Sequence, residues 1–381
     1  VATYAPGATY VPISPVRVVD TRASAAGRLT SGVTRTFAVA GTPGIPAGAV
    51  AVTGNVTAVL PTSAGWIQLS SGPAVTATTS VLNVPAGDTR ANGVTALLGG
   101  DGRLSAVFKG ASGSTHLILD ITGYFMAADS GATFRPVGPI RVLDSRTGAG
   151  GYSTRFVSGT SRSVRLGGVS GIPADAVAVT GNLTVTGQTA GGYVSMTTAP
   201  TSTPAVSTVN VPVGDTRANG LTIKLDAAGK ASLVYVGGKA GVATAHLIFD
   251  VTGFYRAGTG GQRFYPLEPR RILDTRSSDP PSLKAGLSRT IDVLGGAALP
   301  AGIAAVATNV TVVGPTAAGY LSVTTQPTTS PTTSTINFPR GDTRANNTLN
   351  ALDAAGRLRA IYQAPAGSTS HFIIDLVGYF R

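Results

Sequence analysis

Four short signatures recur three times, in the same order, along this 381-residue chain. The first reads Arg17-Val-Val-Asp20-Thr-Arg22, then Arg141-Val-Leu-Asp144-Ser-Arg146 and Arg271-Ile-Leu-Asp274-Thr-Arg276. The second is Asn55-Val-Thr57, with Asn182-Leu-Thr184 and Asn309-Val-Thr311. The third runs Asn83-Val-Pro-Ala-Gly-Asp88-Thr-Arg90-Ala-Asn92 and returns with Asp215, Arg217 and Asn219, then with Asp342, Arg344 and Asn346. The fourth, His116-Leu-Ile-Leu-Asp120-Ile-Thr-Gly123-Tyr-Phe125, returns around Asp250 and Asp375. Asp88, Asp215 and Asp342 stand 127 residues apart. A unit that long is a domain, not a solenoid turn of roughly 20–50 residues. The expected division is 1–127, 128–258 and 259–381, with joints in Met126–Thr133 and Ala257–Arg263. Such short, small-residue joints predict a semi-rigid string of three beads; they do not choose between an open row and a closed one.

Within a unit the pattern is that of strands. Thr34–Val39 alternates, while Val50–Leu60, Gly65–Leu69 and Ser80–Val84 are short and β-branched. Asp101-Gly102, Ala228-Gly229 and Ala355-Gly356 each sit between apolar runs and read as hairpin turns. No long stretch carries a helical period, and an Ala-rich patch such as Pro46–Val50 offers one helical turn at most. The fold class expected is all-β: three tandem β-sandwiches of jelly-roll or Greek-key type, with a barrel as the alternative. Gly 50 and Pro 24 suit many tight turns, and 43% hydrophobic residues suffice for a core in each unit.

The fourth signature has the pattern of a central strand. Leu117, Leu119 and Ile121 share one face, and His116, Ile118, Asp120 and Thr122 the other. Both faces are apolar in the middle, so both should be covered. A carboxylate on such a strand needs a cationic partner. The expectation is a structural Asp–Arg network of Asp20, Arg22, Asp88, Arg90 and Asp120 in the first unit. Its counterparts are Asp144, Arg146, Asp215, Arg217 and Asp250 in the second, and Asp274, Arg276, Asp342, Arg344 and Asp375 in the third. Asp120 is expected to pair with Arg22 or Arg90. The same oxygens, with Asn83 and Asn92, suit Ca²⁺ in type. An arginine two residues after Asp20 and after Asp88 competes for the carboxylates, so no metal is assigned.

His116, His246 and His371 are the only histidines, one per unit, and with no cysteine they make no zinc site. They read as partly buried hydrogen-bonding residues. No Gly-x-Ser-x-Gly elbow, P-loop or dinucleotide fingerprint occurs, so no catalytic residue or cofactor is expected. The Asn-x-Thr triplets match a glycosylation sequon but lie inside expected strands, where Asn serves a structural hydrogen bond. The aromatics closing each unit, Tyr124-Phe125 and its copies, should pack domain edges and contacts between units. Trp66, with Tyr193 and Tyr320 at the matching positions, is the better candidate for ligand contact.

The ordered signatures resemble a repeat domain common in exported proteins of actinobacteria. In that family segments like Arg-Val-Leu-Asp-Thr-Arg, Asn-Val-Thr and His-Leu-Ile-Asp-Val-x-Gly-Tyr-Phe recur in tandem or beside wall-acting hydrolases. The resemblance spans nearly the whole chain. It implies an accessory or surface role and transfers no catalytic residue.

Low charge (12%), no cysteine and a start at Val1 without Met fit an exported, mature bacterial protein. The net charge of +12 is spread without a charged block, which argues against specific nucleic-acid binding and leaves an acidic polymer as a weaker option. No apolar run is long enough to span a bilayer. The expected function is a secreted, non-enzymatic structural or adhesive surface protein, with self-association into an extracellular filament or a cell-surface or wall polymer as partner. The alternative is a trivalent carbohydrate-binding array.

Overall fold

A computed structural model describes residues 7–73, 79–277, 281–297 and 299–381. In the first repeat the strands are β1 (Thr9–Asp20), β2 (Leu29–Thr30), β3 (Thr34–Ala38), β4 (Ala49–Val59), β5 (Gly65–Ser70), β6 (Leu82–Val84), β7 (Arg90–Leu97), β8 (Arg103–Gly110) and β9 (Ser114–Met126). One sheet runs β1-β9-β4-β7 and the other β3-β8-β5-β6, all antiparallel, with β2 extending β9. This is the strand order of a jelly roll. The second and third repeats have the same order in both sheets. Alternate residues from the two sheets fill each sandwich; Leu117, Leu119 and Ile121 point into the first, with Ile67, Leu104 and Phe108 opposite. Among the described residues the one helix is the short Val293–Ala297, in the third repeat.

One expectation is corrected. Asp101-Gly102 and its copies do form tight turns, with Gly102, Gly229 and Gly356 at φ of 74°, 70° and 75°. They are not hairpins, because β7 pairs with β4 in one sheet while β8 pairs with β3 and β5 in the other. The arrangement of the three repeats, which the joints left open, is closed. The three repeats close into a ring about a pseudo-threefold axis, and the first strands of the repeats pair in a triangle: Ala8 with Phe264, Tyr10 with Ala132 and Phe134 with Gln262.

Two layers hold the ring. At one level six buried aromatics pack around the axis with their rings tilted against one another: Tyr10, Phe125, Phe264, Phe380, Phe134 and Tyr255. Neighbouring centroids are 4.2–5.0 Å apart. This is the role of the aromatic that ends the fourth signature. It also explains the signature's glycine: a Cβ at Gly123, Gly253 or Gly378 would lie against the ring of Tyr10, Phe134 or Phe264.

At another level the third signature supplies a closed ring of ion pairs. Arg90 joins Asp88 and Asp342, Arg217 joins Asp215 and Asp88, and Arg344 joins Asp342 and Asp215, with all six contacts at 2.6–3.1 Å. The arginine side chains are buried. Burying charge offsets most of the Coulombic gain, so the strength of such a ring lies in register: a slipped repeat would leave a guanidinium unpaired.

Candidate functional site: clefts between the repeats

The outer face of the β1-β9-β4-β7 sheet is covered by the next repeat, which accounts for the apolar residues on both faces of β9. Across that sheet Arg17 stands opposite Asp120, Asp120 opposite Asn55, and Asn55 opposite Gly93. Asp120 is therefore paired by Arg17, through Nε at 2.8 Å and a second bond from Nη2 at 3.2 Å. Arg141–Asp250 and Arg271–Asp375 repeat the pair. This corrects the expected partners. Arg22 forks instead onto Asp20, two residues before it, and Arg90 belongs to the axial ring. The same fork joins Arg146 to Asp144 and Arg276 to Asp274. Burial pushes the Asp120 carboxyl above the ordinary carboxylate range, against the pull of Arg17. Hydrogen bonding from Arg22 holds Asp20 down at about 2.

The Asn of each Asn-x-Thr triplet ties one repeat to the next. The Asn55 side-chain amide donates to the Ser207 carbonyl at 2.7 Å and its oxygen accepts from Asn219 at 2.8 Å. Asn182 does the same with Ser334 and Asn346, and Asn309 with Ser80 and Asn92. These amides are buried, so they serve the interface and are closed to glycosylation.

Two residues on, the Thr of the triplet shares its face and lines a cleft between repeats. Between the first and second repeats a cleft of about 250 Å³ is lined by Arg17, Arg22, Thr57 and Ile118 on one side and Tyr193 and Asn210 on the other. Between the second and third, a cleft of about 280 Å³ is lined by the equivalents Arg141, Arg146, Thr184, Ile248, Tyr320 and Asn337. At the third position the counterparts are Arg271, Arg276, Thr311 and Ile373 with Trp66 and Asn83; part of the adjoining loop lies outside the described residues. The Thr57, Thr184 and Thr311 hydroxyls are buried and have no hydrogen-bond partner among the described residues. Trp66 is 39% exposed, and Tyr193 and Tyr320 are half-buried.

The sequence pattern singled out the three aromatics but missed Arg17 and the Thr of the triplet as wall residues. The signal for the Thr was its period-2 spacing from an interface Asn. His116 and His246 lie beside this face, bonded through Nδ1 to Thr21 and Ser145. Burial, helped by Arg28 and Arg155 respectively, pulls both below the usual histidine range. Among the described residues no group of three His, Cys, Asp or Glu is placed to hold a metal. Among the described residues no helix is long and apolar enough to cross a membrane. No family model matches the chain, and no curated protein matches it.

Proposed function

We propose that the protein is a non-enzymatic, exported surface protein that adheres to a neutral glycan of a wall or of the surroundings through the clefts between its repeats. The observation that carries this reading is a cleft walled by a tyrosine of the next repeat and by polar side chains, present between the first and second repeats and again between the second and third. A sugar ring has an apolar C–H face and a rim of hydroxyls. An aromatic wall suits the first, and a hydroxyl, an amide and guanidinium N–H groups suit the second. Each guanidinium is already paired with a carboxylate, so the cleft carries little net charge. That favours a neutral polymer over a polyanion, and binding should be nearly independent of salt. Three copies on one rigid body raise the hold on a repeating polymer well beyond one cleft's affinity.

The test is retention on an array of neutral polysaccharides. The wild-type protein should be retained at low and moderate salt alike. The triple variant Trp66→Ala/Tyr193→Ala/Tyr320→Ala, with its ring intact by circular dichroism and sedimentation, should be released. Retention that ignores the triple substitution, or the absence of any retention, would refute the proposal.

A further inference from the structure

The clefts share their Arg, Thr and Ile positions but differ at three places in the wall. In the cleft between the first and second repeats these are Val59, Ala205 and Val206. In the cleft between the second and third they are Thr186, Thr332 and Thr333. The aromatic is Tyr in both, and the volumes are close. Each apolar side chain is thus replaced by one bearing a hydroxyl, at the same distance along the same strand or loop.

We infer that the clefts are chemically distinct subsites: the one at Tyr320 takes a sugar unit bearing free hydroxyls, and the one at Tyr193 takes a unit carrying an apolar substituent such as an acetamido methyl. This rests on the glycan reading above. The physical reason is the cost of mismatch. A substituent methyl set against Thr332 and Thr333 removes their hydration without replacing the hydrogen bonds, whereas against Ala205 and Val206 it buries apolar area. A free hydroxyl set against Val59 and Val206 loses its water and gains no partner. Thr186 also donates to or accepts from Thr216 at 2.9 Å, which holds its hydroxyl in place within the polar cleft. A ring with both subsites reads a polymer of mixed substitution rather than three copies of one unit.

The experiment is calorimetric titration of the full chain with two probes, chitotetraose and cellotetraose, in a Trp66→Ala background that silences the third cleft. Tyr193→Ala should weaken chitotetraose about tenfold or more and leave cellotetraose unchanged, and Tyr320→Ala should do the reverse. The exchange Ala205→Thr/Val206→Thr, which installs residues the neighbouring cleft already accommodates, should move the first cleft's preference toward cellotetraose. Equal losses of both probes in both tyrosine variants would overturn the distinction while leaving glycan binding intact. Binding of neither tetrasaccharide before substitution would also overturn it. The glycan reading would then be decided by the polysaccharide array, where dependence on the three aromatics is scored whatever the sugar.

Discussion

The guanidinium of Arg217 lies 2.6 Å from the carboxylate of Asp88, a residue 129 positions earlier and one repeat away. Each such bond joins neighbouring repeats, and the three together make closure of the ring a property of charge pairing as well as of apolar contact. Asp88→Ala would leave Arg90 and Arg217 sharing fewer carboxylates while buried. The expected cost is on the order of 3–5 kcal/mol, read by denaturant unfolding. An unchanged midpoint would show that solvent already screens the ring.

The pair Arg17–Asp120 makes a sharper comparison. Asp120 is 1% exposed, and among the described residues its charge is met at hydrogen-bond distance by Arg17. Asp120→Ala and Arg17→Ala should each destabilise by several kcal/mol and be strongly non-additive. Arg22→Ala, which frees a half-exposed side chain from Asp20, should cost about 1 kcal/mol or less. A larger effect at Arg22 than at Arg17 would reverse the assignment.

At the axis, Gly220 passes so close to the third repeat that a Cβ would fall on the Asn347 backbone carbonyl. The atom met is main chain and cannot rotate away. Gly220→Ala should therefore force the repeats apart and cost about 1–3 kcal/mol. Gly214→Ala removes a glycine whose added Cβ meets nothing, at a positive φ of 79°. It should act locally, through backbone strain, without altering contacts between repeats. Small-angle scattering separates the two, since only Gly220→Ala should widen the particle.

Acid should weaken the fold through the Asp–Arg forks. Asp20 and Asp274 are held at about 2, by Arg22 and Arg276 respectively, below an unfolded value of roughly 3.9. A depressed carboxylate stabilises above its unfolded pKa, and that contribution is lost as pH falls from about 4 toward 2. Because the arginines are half-exposed, each fork is worth about 1 kcal/mol after screening. Asp120, Asp250 and Asp375 shift upward through burial, the opposite sign. The test is accordingly local: Asp20→Asn should lower stability at pH 5 and leave it unchanged near pH 2. An equal loss at both would assign Asp20 a role other than its charge.

The repeat, the strand content and the need for a partner at Asp120 were legible in local pattern. Both faces of His116–Thr122 were apolar, which called for a second covering layer, and that layer is the neighbouring repeat. Which arginine met Asp120 was not legible. Arg17, Arg22 and Arg90 all carry the same charge, and only the register of β1 against β9, set by contacts 103 residues apart, distinguishes them. The clefts were hidden for the same reason. Each is made from two repeats, so Thr57 and Tyr193 become neighbours only once the ring closes.

Trp66 offers a direct reading of one junction. It is the single tryptophan of the chain, is 39% exposed, and stands where Tyr193 and Tyr320 wall the other clefts. Its emission therefore reports on the junction of the third and first repeats alone. A glycan seated there would strip water from the indole face, so saturation with a retained polysaccharide should shift the emission to the blue. Thr311→Val removes the unpartnered hydroxyl at that junction while keeping its shape. The variant should fold with equal or slightly greater stability, because a buried orphan hydroxyl is lost. The hydroxyl is buried, so the ligand concentration that gives the spectral shift should stay the same. A severalfold rise in that concentration would show that the hydroxyl comes into reach of the ligand when the cleft fills.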